Sequence, residues 1–92
     1  MRIPKKLKIL GRTYKVEIVK NLYKGSLLGT CHFYKGKIRL EKDMCFSLKK
    51  KVLFHEMIHA ASMESGADLS EEQISKMENS FYAILKDNQF LK

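Results

Sequence analysis

Tryptophan is absent from this chain of 92 residues, and proline occurs once, cysteine twice and histidine three times. No stretch approaches the roughly 18 consecutive apolar residues of a membrane span. The N-terminal Met1-Arg2-Ile3-Pro4-Lys5-Lys6 lacks the apolar core of a secretion signal, so a cytoplasmic protein with no membrane partner is expected. Cys31 and Cys45 sit in neither a CxxC nor a CxxxxC spacing. They read as reduced thiols, and a cysteine-based structural zinc site is not expected. Acidic residues are also scarce, 10 Asp/Glu against 18 Lys/Arg, for a net charge of +8. The imbalance is local: residues 1–51 hold 15 Lys/Arg and 3 Asp/Glu, whereas residues 52–92 hold 3 and 7. The basic half reads first as a solvated strand face; contact with nucleic acid or an acidic protein is the functional alternative.

What the chain does have is 45% apolar residues, enough for one modest core in a single domain spanning residues 1–92. Lys8 to Leu10 and Thr13 to Val19 read as two strands about a turn at Gly11-Arg12, with Tyr14, Val16 and Ile18 alternating against Lys15 and Glu17. Asn21 to Ser26, with Gly25, reads as a loop. Leu27 to Tyr34 and Lys37 to Lys42 flank Lys35-Gly36 as a second hairpin with Ile38 and Leu40 inward. Ser47 is the expected N-cap of a helix to about Glu64, closed near Gly66. A second helix opens at Asp68 or Ser70, each with its own capping-box partner, Glu71 or Gln73, and runs to about Asp87. The fold class is therefore α+β: N-terminal antiparallel hairpins packed on two helices.

Two of the three histidines fall in His55-Glu56-Met57-Ile58-His59, an HExxH pattern that this composition would yield by chance about 0.007 times. On a helix, positions i and i+4 share a face, so both imidazoles can reach one ion, while Glu56 stands beside them as a general base. The flanking Val52 to Ala61 is apolar on nearly every side, and polar groups on a buried helix need partners. His32, by contrast, reads as a surface or half-buried histidine on a strand.

A catalytic zinc ion usually has three protein ligands and one open position. No histidine follows His59, so the third ligand should be a carboxylate, from Glu64, Asp68, Glu71, Glu72 or Glu78. If Ile74, Met77, Phe81 and Leu85 define the inward face of the second helix, Glu71 and Glu78 both lie on its inward side and Glu72 points away. Helical phase leaves Glu71 and Glu78 open.

Phe54 to Ala60, Leu69 to Ile74, Asn79 to Leu85 and Asp87-Asn88 together resemble small phage and prophage zincin-like metallopeptidases of the gluzincin type, and more distantly ImmA/IrrE-like peptidases. The resemblance covers about residues 36–88. It implies a zincin-like domain and a zinc-dependent hydrolase acting on a protein or peptide. The ion would be held by His55, His59 and Glu71, with Glu78 as alternative third ligand and Glu56 as the catalytic base. It also implies an edge strand that binds extended substrate; Lys37 to Lys42 is the expected one, and its Lys37, Arg39 and Lys42 would favour acidic peptides. Larger gluzincins have a second lobe and an assigned oxyanion-stabilising side chain, which this chain lacks; Tyr82 and Tyr34 are the candidates. The competing expectation is a catalytically silent zinc-containing module that uses the basic N-terminal face for nucleic acid or an acidic protein.

Overall fold

The computed structural model describes residues 2–22 and 28–89; most of the loop expected over Asn21–Ser26, and Leu27 with it, lie outside them. Four strands, β1 (Lys6–Ile9), β2 (Arg12–Val19), β3 (Gly29–His32) and β4 (Lys37–Glu41), precede two helices, α1 (Phe46–Ser65) and α2 (Glu71–Asp87). The coarse α+β expectation holds. Both hairpins are antiparallel, but β2 and β4 pair in parallel, giving the order β1-β2-β4-β3. The parallel pair was not expected, and it moves the edge: β4 is interior and β3 is outermost. Composition explains the placement. Ile38 and Leu40 of β4 are fully buried, whereas β3 is Gly-Thr-Cys-His and has less apolar surface to gain by burial.

The core lies between the sheet and α1. Ile9, Tyr14, Val16, Ile38 and Leu40 pack against Leu53 and Ala60, while Ile18, expected inward, is 42% exposed near the end of its strand. On the other side α1 meets α2, so α1 is the middle layer of the domain. It is not buried all round: Phe46, Leu48 and Met63 face solvent, and both motif histidines are half-buried.

Element boundaries shift for identifiable reasons. The first hairpin turns at Leu10-Gly11, both at positive φ (49° and 86°), one residue before the expected position. That is the geometry of a two-residue hairpin turn whose twist suits the flanking strands. In the second hairpin β3 stops at His32, and Phe33 to Gly36 form the turn, closed by the Gly36 N–H to the Phe33 carbonyl at 3.1 Å. Helix α1 is capped by Cys45, not Ser47, and Cys45 offers no side-chain cap. The preceding bend is fixed instead by Glu41, a buried carboxylate that accepts from the Leu22 and Asp43 N–H groups at 2.8 and 3.1 Å.

Candidate metal centre

The α1–α2 connection aims the site. Gly66 closes α1 in the left-handed conformation at φ 75°, and the Ala67 N–H returns to the Ser62 carbonyl at 3.0 Å. The buried Ser62 hydroxyl then accepts from the Leu69 N–H at 2.8 Å, folding the loop back onto α1. Of the two expected capping boxes, Ser70 with Gln73 forms: Ser70 Oγ accepts from the Gln73 N–H at 3.2 Å and Gln73 Oε1 from the Ser70 N–H at 2.8 Å. Glu71 becomes the first residue of α2. Ile74 and Glu78 follow at i+3 and i+7, both buried, so the inward stripe is Glu71, Ile74, Glu78. Phe81, expected inward, is 51% exposed.

This stripe faces the motif histidines. Glu71 Oε1 is 2.6 Å from His55 Nε2, and Glu71 Oε2 is 3.0 Å from His59 Nε2. Glu78 Oε1 lies 2.8 Å from His55 Nδ1. The two imidazoles meet edge to face at 4.9 Å. One ligand atom each from His55, His59 and Glu71 falls within 4.8 Å of the others. A tetrahedral zinc ion with bonds of about 2.0–2.2 Å needs its donors about 3.3–3.6 Å apart, so only small side-chain adjustment is required. The donor set therefore fits zinc. Glu78 contacts the other nitrogen of His55, the place of a carboxylate that orients a ligand ring.

Of the other candidates, Glu64 and Glu72 are engaged elsewhere, and Asp68 is exposed outside this cleft. Glu64 accepts from Arg12 Nη1 and from the Tyr14 hydroxyl, both at 2.9 Å, fastening the first hairpin to the end of α1. Those donors hold its carboxyl below the ordinary range, led by Arg12. Glu72 pairs with Lys76 on the outer side of α2.

Glu56 is 7% exposed and opens on the same cleft of about 620 Å³ as His55, His59, Glu71 and Glu78. Burial pushes its pKa up to about 7; the His55 charge pulls it down, and Glu71 and Glu78 push it up. His55 is itself raised: burial opposes the charged ring, but Glu78, Glu56 and Glu71 outweigh it. Leu48, Lys51, Val52, His55, Glu56 and His59 recur at helical spacing, so one face of α1 forms this wall of the cleft.

Gly29 is the residue the sequence reading missed. It begins β3 against α1, and a Cβ placed there would stand 2.5 Å from Val52 Cγ1 and 3.2 Å from Glu56 Oε2. Only glycine permits this approach of the edge strand to the buried carboxylate. A glycine in a strand flanked by Leu-Leu and Thr-Cys is the one sequence signal of it, since strand glycines often mark close backbone approach.

Neither tyrosine candidate lines this cleft. Tyr82 packs edge to face on Phe54 at 5.6 Å. Tyr34 is 94% exposed, in a separate groove that His59 also lines. The expected substrate strand also changes: β4 is interior, and its Lys37 and Arg39 pair with Glu17 at 3.9 and 3.0 Å. Among the described residues, no helix is long and apolar enough to cross a membrane. Comparison with protein-family models, curated proteins and solved structures returned no match.

Proposed function

We infer that the protein is a zinc-dependent metallopeptidase of zincin-like type. The observation that carries this reading is the convergence of His55 Nε2 and His59 Nε2 on the Glu71 carboxylate, with the buried Glu56 opening on the same cleft. His55, His59 and Glu71 would hold the ion, which when bound supplies a Lewis acid and lowers the pKa of water. Glu56 takes the proton from the attacking water and delivers it to the departing amine. Burial raises this carboxyl above the ordinary carboxylate range, the direction that favours its taking up a proton. Glu78 fixes the His55 ring through Nδ1.

The outer edge of β3, unpaired among the described residues, would take an extended peptide as an added strand beside Gly29 and bring a carbonyl towards Glu56. Lys51 is the cleft's lysine among the described residues, beside Glu56, Glu71 and Glu78, and it takes the place of the β4 cations as the contact an acidic side chain would make. The experiment is hydrolysis of a peptide library by the zinc-loaded protein beside its Glu56→Gln variant. Cleavage by the wild type and loss in the variant, with zinc retained by both, supports the reading; identical cleavage by both overturns it.

A further inference from the structure

The open face of the sheet carries cations that peptide hydrolysis does not use. The strand register pairs Lys6 with Lys15, Lys15 with Lys37 and Lys37 with His32, so one basic side chain from each of the four strands stands in a single line across the sheet. Strand side chains alternate between faces, so Lys8 and Thr13 lie on one side of this row, and Glu17, Arg39 and Thr30 on the other. The opposite face holds Tyr14, Val16, Ile38 and Leu40 under α1.

Adjacent strands are about 4.8 Å apart, so Lys6, Lys15 and Lys37 set like charges side by side, an arrangement that costs stability. Little on this face offsets it. Glu17 is already shared by Arg39 and Lys37, and Glu41, at the end of β4, is buried and held by backbone N–H groups. Lys6, Lys8 and Lys15 have no ion-pair partner among the described residues. The field stays positive next to His32: its pKa is lowered by burial first and then by Arg39, Lys35 and Lys37, against the opposing pull of Glu17.

We propose that this face binds the phosphate backbone of double-stranded nucleic acid without reading its sequence. Charge complementarity calls for a polyanion, and the rest of the face selects which one. A protein partner needs apolar or aromatic anchors, and the strands present only the half-buried Val19 here. A single strand is gripped by stacking its bases on aromatic rings, and no Phe, Tyr or Trp of any strand stands on this face. Ammonium, guanidinium and hydroxyl donors spread over one sheet face match a duplex backbone, whose contacts position without specifying sequence. This surface lies across the sheet from α1 and the metal centre, so it is independent of the catalytic reading.

The test is fluorescence anisotropy of the full chain against labelled duplexes of two unrelated sequences across a salt series. Equal affinity for both is expected, with log K falling against log salt at a slope of about −3 to −4, the signature of roughly four phosphates neutralised. The variant K6Q/K8Q/K15Q should bind at least tenfold more weakly at low salt and flatten the slope by about 2–3. K6R/K8R/K15R should keep wild-type affinity. K49Q/K76Q/K86Q, which removes the same charge from the helices, should stay within twofold. Absence of binding at low salt, equal losses in both glutamine triples, or displacement of the duplex by polyglutamate at lower charge concentration each overturns the proposal.

Discussion

Glu78 holds His55 by Nδ1 at 2.8 Å, leaving Nε2 turned toward Glu71 and the cleft. Two carboxylates of one helix thus meet the two nitrogens of one ring, and their exposures separate their roles. The Glu78 side chain is 10% exposed, with His55 as its partner, while the Glu71 side chain is 65% exposed and spans both histidines.

Zinc content should divide the same way. Wild type should carry about one ion per chain by elemental analysis; Glu71→Ala should lose most of it; Glu78→Ala should keep it with affinity weaker by about 10–100-fold in chelator competition. Unchanged zinc affinity in Glu71→Ala would sink the assignment of the third ligand.

Replacing the base should separate chemistry from binding. Glu56→Gln should retain zinc and lower kcat by about 10²–10⁴-fold with little change in KM, measured on any peptide the wild type cleaves. A variant as active as wild type would move the proton-transfer role elsewhere.

Gly29→Ala should cost about 1–3 kcal/mol by denaturant titration, since its methyl meets Val52 Cγ1 at 2.5 Å. Adding Val52→Ala should recover part of the loss, the sign of a steric conflict and not of a backbone preference. Activity should fall with Gly29→Ala as well, because Glu56 shares the contact.

Acid should loosen the domain through Glu41 and Glu64. Both carboxyls are held below their ordinary range, Glu41 chiefly by the backbone N–H groups of Asp43 and Leu22, and Glu64 chiefly by Arg12. A depressed folded pKa contributes stability that is present above the unfolded value and lost as pH falls through the folded one. Melting temperature should therefore drop below the usual carboxylate range, and Glu41→Gln or Glu64→Gln should flatten that drop while lowering stability at neutral pH. A wild-type acid profile in both variants would contradict the assignment.

Leu10→Asn should stabilise the first hairpin by about 0.5–1 kcal/mol, read as a shift in thermal midpoint. Leu10 is held at φ 49° with 67% of its surface exposed, and asparagine tolerates that backbone region better. A lower midpoint would mean that the Leu10 side chain contributes packing worth more than the strain.

The sequence by itself determined most of the local elements and the shared face of the two motif histidines. Alternation gave the inward Tyr14, Val16, Ile38 and Leu40, the Ser70 and Gln73 spacing gave one of the two possible starts for α2, and the four-residue spacing of His55 and His59 put both rings on one face, because each depends only on the period of a single element. Helical phase narrowed the third donor to Glu71 or Glu78 for the same reason. That Glu71 reaches both rings and Glu78 only His55 depends on how α2 is hung from Ser62, which only the tertiary structure decides. It also decided the parallel β2–β4 pairing, the edge position of β3, the approach of Gly29 to Glu56 and the line of Lys6, Lys15, Lys37 and His32. Each of these joins residues distant in the chain, and their contact is set by competition among strands for the buried centre of the sheet, a balance of burial that no local pattern records.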